Sequence, residues 1–233
     1  SDLGRSLSFM VREALSGGVT MVQLREKTSS SLAFYQQALE LKSLLEHSAV
    51  PLIINDRVDI ALAVNADGVH LGRQDLPCEI ARRLLGPDKL IGLSVESVEQ
   101  ALDANQLDID YIAVSPVFGT PTKTDTATPL GLEGLKAISA VSRFPVVAIG
   151  GMNEQTAPDV IKMGADGIAV VSAIMASTNP RQAAARLRKL VRETIGSKPV
   201  DPKDRMTLSD IGEFGFIERL APWFAPLVGS GLT

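Results

Sequence analysis

Short apolar runs alternate with amphipathic stretches from residue 8 to about residue 194 of this chain. The runs are rich in Val, Ile and Leu, as is typical of strands buried on both faces of a parallel sheet. Seven runs can be identified, at residues 20–25, 51–55, 68–71, 90–95, 111–117, 146–150 and 167–174. Strands that alternate in this way with helices predict an α/β fold.

The stretches between the runs predict eight helices, near residues 8–16, 31–47, 56–64, 77–85, 97–105, 131–142, 154–163 and 180–194. Ser97, Asn153 and Asn179 stand before three of them and are favourable N-cap residues. Two helix-to-strand turns, at residues 65–68 and 163–167, have related sequences. Each turn ends a helix with small or turn-forming residues and leads into a strand.

This number of elements favours a (β/α)₈ TIM barrel, which contains eight strands and eight helices. Because the chain opens on a helix, the missing first strand is expected before Ser1. A doubly wound open sheet is the competing architecture, but it normally has fewer βα repeats. The sequence predicts three parts: the barrel at 1–195, a polar linker at 196–206 and a short C-terminal extension at 207–233.

Composition and charge exclude several classes of protein. The net charge of −4 provides no basic surface for nucleic acid. No apolar run reaches the ~18 residues of a membrane span. Cys78 is the only cysteine, so no intrachain disulfide can form, and a reducing compartment, the cytoplasm, is expected. A helix start can lower the pKa of a thiol, but without a paired base we interpret Cys78 as incidental.

Cationic side chains follow the first predicted strand. In a barrel the carboxyl ends of the strands converge on one mouth. The first run leads into Gln23, Arg25, Glu26 and Lys27. Two cations this close together suit a polyanionic substrate, whereas Glu26 is also compatible with ordinary surface charge.

Two carboxylates follow the next two predicted strands. Asp56 comes directly after Asn55 at the end of the second run, and Asp75 lies on the loop after the third. Either aspartate can cap the helix that follows it. Facing two lysines, the pair also suits Mg²⁺, which favours one or two carboxylates together with substrate phosphates and water. Both interpretations stay open at this point.

The loop after the fifth run carries Thr120, Pro121, Thr122 and Lys123. Hydroxyl and backbone N–H groups can bind phosphate oxygens, and an ammonium group neutralises their charge. The alternative is a solvated loop that happens to be polar. The positions of the polar residues at the other strand ends favour the phosphate site.

Later strand ends add a second candidate anion site. Gly150 and Gly151 allow the backbone to approach a ligand closely, and Ser172 lies near the end of the last run. Loops after the last two strands of a barrel frequently hold phosphate. Ser94, near the end of the fourth run, is a weak candidate alone, and His70 is more typical of a core residue than of a base.

Five strings in one order and spacing resemble those of thiamine-phosphate synthase. They are MVQLREK at 21–27, INDR at 54–57, GVHLG at 68–72, TPTK at 120–123 and AIGG at 148–151. The resemblance covers residues 3 to about 192 and implies a (β/α)₈ fold. It also implies an Mg²⁺-dependent reaction that joins a hydroxymethylpyrimidine diphosphate to a thiazole phosphate and releases pyrophosphate.

The resemblance implies a role for each candidate. The pyrimidine diphosphate would be held by Gln23, Arg25, Glu26, Lys27, Asn55, Ser94 and Lys123. Mg²⁺ would be bound by Asp56 and Asp75. The thiazole phosphate would be held by Thr120, Pro121, Thr122, Gly150, Gly151, Val171 and Ser172. Arg25, Lys27 and Lys123 would assist a dissociative reaction, in which diphosphate leaves before the thiazole nitrogen attacks.

The extension at 207–233 resembles the N-terminus of thiamine-monophosphate kinase, which suggests a synthase–kinase fusion. Small phosphorylated molecules are the expected partners, and a homo-oligomer is left open. Two alternatives stand beside the synthase: a thiazole tautomerase of the same fold and a non-catalytic ligand-binding fragment. A tautomerase would have little need for Lys27, Asp56, Asp75 and Lys123 together.

Overall fold

The computed structural model describes residues 5–119 and 128–197, and within these ranges seven parallel strands form one curled sheet. The strands are β1 (Val22–Leu24), β2 (Leu52–Asn55), β3 (Gly68–Leu71), β4 (Leu90–Val95), β5 (Tyr111–Val114), β6 (Val146–Ile149) and β7 (Gly167–Ala169). Their order in the sheet is their order in the chain. A doubly wound sheet would reverse its order at a switch point, so that alternative is wrong.

Nine helices occur in the described ranges, mostly between successive strands. They are α1 (Leu7–Ser16), α2 (Ser31–Leu45), α3 (Val58–Ala63), α4 (Cys78–Leu85), α5 (Val98–Ala104), α6 (Gly131–Val141), α7 (Ala157–Lys162), α8 (Ser172–Met175) and α9 (Pro180–Gly196). Ser97 and Asn179 cap α5 and α9 as predicted, by accepting hydrogen bonds from Gln100 N and Gln182 N. None of these helices is long and apolar enough to cross a membrane.

Alternate strand residues face two different apolar layers. Leu52 and Ile54 of β2 belong to the large core cluster, which lies between the sheet and the helices. Ile53, between them, instead packs with Leu90 and Tyr111 in a separate small cluster on the inner face of the sheet. This alternation follows from the two-residue period of a strand. The inner face therefore carries the side chains that can reach a site in the mouth of a TIM-barrel-like fold.

The two related turns predicted from the sequence perform the same structural task. The Asp67 carboxylate before β3 accepts a hydrogen bond from Leu52 N at 2.9 Å. The Asp166 carboxylate before β7 accepts one from Val146 N at 2.8 Å. Each aspartate thus satisfies the first backbone N–H of the preceding strand and fixes the register there.

Several predicted element boundaries differ from those of the structure, and three of the differences have a clear local cause. The last strand ends at Ala169 instead of 174, because Ser172–Met175 forms α8 and packs Ile174 into an apolar cluster with α9. Helix α3 begins at 58 instead of 56, because Asp56 has a φ of 62°, outside the helical region. Helix α7 begins at 157 instead of 154, because Asn153 Oδ1 accepts hydrogen bonds from Gln155 N and Thr156 N in a preceding turn.

Several predictions lie outside the described residues. These are Thr120, Pro121, Thr122, Lys123 and the kinase-like extension at 207–233. The strand expected before Ser1 lies outside the chain. The linker prediction is testable only at its start, where α9 continues to Gly196. Each of the others stays a prediction from sequence.

Candidate active site

Charged side chains from three neighbouring strand ends meet at the carboxyl edge of the sheet. Lys27 follows β1, Asp56 follows β2, and their side chains form an ion pair. Asp75 comes from the loop after β3 and lies beside the Asp56 carboxylate, which acts on its pKa. The predicted meeting of a cation with two carboxylates is therefore present in the folded chain.

Neither carboxylate caps the helix that follows it. Asp75 Oδ2 accepts a hydrogen bond from Gly72 N at 2.7 Å, within its own loop. Helix α4 has Pro77 at its N-cap and α3 has Arg57, and neither side chain makes a cap hydrogen bond. The left-handed backbone of Asp56 is held by its N–H, which donates to His70 O at 2.8 Å. Of the two interpretations left open by the sequence, the paired caps are wrong.

The contact between the two carboxylates has an electrostatic cost. Burial raises the pKa of Asp75, and the nearby Asp56 raises it further, while Lys27 acts in the opposite direction. Two like charges held together in this way suit a cation that can neutralise both. Within residues 5–119 and 128–197, no group of three or more His, Cys, Asp or Glu side chains could hold a metal ion. A two-carboxylate set nevertheless fits Mg²⁺, which completes its shell with water and phosphate oxygens.

The remaining candidates after β1 differ in their surroundings. Glu26 turns to its own loop, where Oε1 accepts hydrogen bonds from Thr28 N at 2.8 Å and Ser29 N at 3.2 Å. These bonds lower its pKa to about 2, so the carboxylate is ionised but directed to the protein. Arg25 and Gln23 are exposed at the same strand end.

Two amide and hydroxyl candidates lie deeper on the inner face. Asn55, at the end of β2, is buried and is paired in register with His70 of β3. Ser94 of β4 has its Oγ 3.0 Å from His70 Nε2. His70 is buried and satisfied, as the sequence prediction of a core residue required. It nevertheless contacts Ser94, a candidate site residue, and no sequence pattern predicts this contact.

The glycines after β6 have the backbone that their identity predicts. Gly150 and Gly151 have φ values of 100° and 68°, in the region that side-chain-bearing residues rarely adopt. A Cβ on Gly151 would lie 2.8 Å from Phe118 Cβ, so the loop after β6 packs closely on the loop after β5. Val171 and Ser172 follow the neighbouring strand β7 and are exposed. Ser172 begins α8 and does not end a strand.

Sequence reasoning missed Tyr111, a buried side chain on the inner face of the sheet that bears a hydroxyl group. Its hydroxyl lies 3.1 Å from His70 Nδ1. An available signal was the glycine at position 92, directly opposite Tyr111 in the sheet register.

The thiol of Cys78 is buried, which raises its pKa to about 11. Burial therefore outweighs any effect of the helix start, and the interpretation of Cys78 as incidental is consistent with a protonated thiol.

Comparison with known proteins identifies the family. The family model described as thiamine monophosphate synthase matches residues 1–174. A thiamine-phosphate synthase from Albidiferax ferrireducens is 52% identical over 188 residues, which cover 81% of this chain and 86% of that protein. One from Vibrio parahaemolyticus is 51% identical over 186 residues, with coverage of 80% and 91%. The structure of a thiamine phosphate pyrophosphorylase from Pyrococcus furiosus matches with a TM-score of 0.75 and 43% identity, covering 82% of this chain and 91% of that one. The fold, the meeting of charges at the sheet edge and these matches agree: the chain belongs to the thiamine monophosphate synthase family.

Proposed function

We propose that the protein joins a hydroxymethylpyrimidine diphosphate to a thiazole phosphate and releases pyrophosphate. Membership of the family makes the chain a transferase that synthesises thiamine phosphate. The observation that carries the proposal is the cluster of Lys27, Asp56 and Asp75 at the carboxyl edge of the sheet. Such a cluster suits a diphosphate leaving group, which needs its growing negative charge to be stabilised.

The residues at the first three strand ends would act on the diphosphate. Mg²⁺ would be held by Asp56 and Asp75 and would neutralise charge on the leaving oxygens. Lys27 and Arg25 add positive charge on the β1 side of the same mouth, and Lys123 is assigned there by the motif resemblance. Because departure of diphosphate precedes attack in the proposed reaction, the protein needs no strong general base. The buried, hydrogen-bonded His70 is in keeping with this scheme.

The thiazole phosphate would bind at the last two strand ends. Gly150 and Gly151 have the open backbone that allows close approach of an anion, and Ser172 is exposed on the adjacent loop. Thr120 and Thr122 are assigned to the same phosphate by resemblance. The two substrates would then lie on either side of the fifth strand end, with the reacting carbon and nitrogen between them. Positioning of both reactants supplies the rest of the rate enhancement.

The same-fold thiazole tautomerase is the second candidate. It would not need the Lys27–Asp56–Asp75 cluster, and the relatives named above, with 51–52% sequence identity, are thiamine-phosphate synthases. Both observations favour the synthase. The non-catalytic fragment is disfavoured by the same cluster, since paired carboxylates are costly without a cation to bind.

A two-substrate assay tests the proposal. The purified protein is incubated with pyrimidine diphosphate, thiazole phosphate and Mg²⁺, and pyrophosphate and thiamine phosphate are measured. We expect pyrophosphate release that requires the thiazole phosphate and stops when Mg²⁺ is chelated. Isomerisation of a thiazole substrate without pyrophosphate release would instead identify a tautomerase, and turnover of neither substrate would support the non-catalytic alternative.

A further inference from the structure

A line of hydrogen-bonded polar groups crosses the inner face of the sheet beneath the mouth. Tyr111 Oη lies 3.1 Å from His70 Nδ1, and His70 Nε2 lies 3.0 Å from Ser94 Oγ. The His70 and Tyr111 rings are stacked, with centroids 5.5 Å apart and 30° between their planes. The Gln23 side chain makes a polar contact with the Tyr111 hydroxyl from β1. Four strands thus contribute to one network, and two of its members, Gln23 and Ser94, are candidate substrate residues.

The sheet is built to admit the Tyr111 ring. Gly92 is its register partner on β4, and a Cβ on Gly92 would lie 2.1 Å from Tyr111 Cζ and 2.4 Å from Tyr111 Oη. The ring packs among Ile53 and Leu90 in an apolar layer. Phenylalanine would fill this apolar space equally well, so packing alone does not explain the hydroxyl. A buried hydroxyl is costly unless it is hydrogen-bonded, which places the significance of Tyr111 in its polar contacts.

The network has a preferred direction. Burial raises the pKa of Tyr111, so the phenol keeps its proton, and the contact from Gln23 acts in the opposite direction. His70 Nδ1, 3.1 Å from Tyr111 Oη, is the ring nitrogen that can accept the phenol proton. A neutral His70 that accepts at Nδ1 carries its proton on Nε2 and donates to Ser94 Oγ. The Ser94 hydroxyl is left to donate towards the mouth.

We propose that Tyr111 and His70 are positioning residues that orient Ser94 and Gln23 for binding of the pyrimidine diphosphate. Tyr111 acts on Ser94 through His70 and on Gln23 by direct contact. If both side chains are already fixed before the substrate arrives, binding does not have to order them, and the entropic cost of binding is smaller. This inference rests on the proposed function, because it assumes that Gln23 and Ser94 contact that substrate.

The first test removes only the hydroxyl. Tyr111→Phe should raise the dissociation constant of the pyrimidine diphosphate with Mg²⁺ about fivefold to tenfold, since one hydrogen bond contributes about 1 kcal/mol. The KM for thiazole phosphate should not change, because that site lies at other strand ends. Tyr35→Phe is the matched control, since Tyr35 is the only other tyrosine and lies on helix α2. Equal affinities of Tyr111→Phe and wild type would overturn the proposal.

A double-variant cycle separates positioning from mere stability. In a Ser94→Ala, Gln23→Ala background, Tyr111→Phe should have no further effect on affinity for the pyrimidine diphosphate. A structural role would produce the same loss in both backgrounds and would contradict the proposal.

A spectroscopic test needs no substrate. Nitrogen NMR of the ring should show His70 as the neutral Nε2–H tautomer, with the preference lost in Tyr111→Phe. His47 is the only other histidine, so His47→Gln assigns the signals. The opposite tautomer in wild type would overturn the proposed direction. If the NMR expectations are met but the wild type neither binds nor turns over the pyrimidine diphosphate, the proposed function fails and the positioning role fails with it.

Discussion

Replacing Asp75 with asparagine should make the metal-free protein more stable and the enzyme much less active. The substitution removes one of two carboxylates in contact, while its remaining side-chain oxygen can still accept the hydrogen bond from Gly72 N. Repulsion between Asp56 and Asp75 is therefore relieved without loss of the loop contact. A residue whose role was structural would not behave in this way.

The size of the effect follows from the environment of the pair. Two charges about 4 Å apart interact by about 1 kcal/mol in water and about 4 kcal/mol at an effective dielectric constant of 20. Asp75 is only partly buried, and Lys27 offsets part of the repulsion, so the lower value applies. We expect the free energy of unfolding to rise by about 0.5–1 kcal/mol at pH 7. For a chain of this size, each kcal/mol raises Tm by about 2–4 °C.

The pH dependence of stability independently tests the prediction that Asp75→Asn is stabilising. The folded chain raises the pKa of Asp75 above its ordinary value of 3.8, so it binds this proton more tightly than the unfolded chain does. The contribution of Asp75 to stability is then present below pH 3.8 and is lost as the pH rises through the raised pKa. The advantage of Asp75→Asn should therefore be seen at pH 7 and vanish near pH 3. Urea unfolding of the variant and the wild type without Mg²⁺, at a series of pH values, measures this difference in stability.

Activity should move in the opposite direction. Loss of a ligand charge from the Mg²⁺ site should lower kcat/KM by about 100-fold or more, because a bound cation supplies several kcal/mol of charge stabilisation. Mg²⁺ with pyrophosphate should stabilise the wild type but not Asp75→Asn. Asp59→Asn is the control, because the Asp59 side chain is 64% exposed and pairs only with the neighbouring Arg57 among the ion pairs described. Its activity should stay within about twofold of the wild-type value. A parallel fall of stability and activity in Asp75→Asn would refute the electrostatic reasoning.

Three further predictions concern other described contacts and one motif residue. Glu26→Gln should lower the free energy of unfolding at pH 7, because the folded chain stabilises the ionised Glu26 carboxylate and lowers its pKa to about 2. The difference between variant and wild type should disappear as the pH falls from 4.5 towards 2, and acid unfolding measures it. Arg82→Ala should cost about 3–5 kcal/mol in urea unfolding because it leaves the buried Asp110 without its 2.6 Å partner, whereas Arg83→Ala should cost under about 0.5 kcal/mol. Lys123→Ala should lower kcat by about 100-fold at unchanged Tm, and wild-type turnover would remove Lys123 from the site.

The parallel fold was predictable because its signal is repeated and local. Each apolar run of four to eight residues carries its own evidence for a buried strand, and the seven predicted strands all occur. The end of the last strand was not predictable from apolarity, because Ala173 and Ile174 suit a buried helix as well as a strand. Ile174 is helical since that conformation packs it against α9, a contact distant in sequence.

The candidate site was predictable where chemistry and topology act together. Lys27, Asp56 and Asp75 each follow a strand, and parallel strands bring their ends together. Their hydrogen-bond partners were less accessible, because the choice between a helix cap and a cation site depends on backbone angles such as the φ of Asp56. The network of Tyr111, His70 and Ser94 was missed because it depends on which strand residues face inward across three neighbouring strands.

Measurement of both products in a single turnover tests the proposed reaction most directly. Enzyme in excess is mixed with pyrimidine diphosphate, thiazole phosphate and Mg²⁺, and the reaction is quenched at intervals. We predict that thiamine phosphate and pyrophosphate form in equal amounts at the same rate, and that Asp75→Asn slows both together. Pyrophosphate without thiamine phosphate, or formation of neither product by the folded wild type, would contradict synthesis of thiamine phosphate at this site.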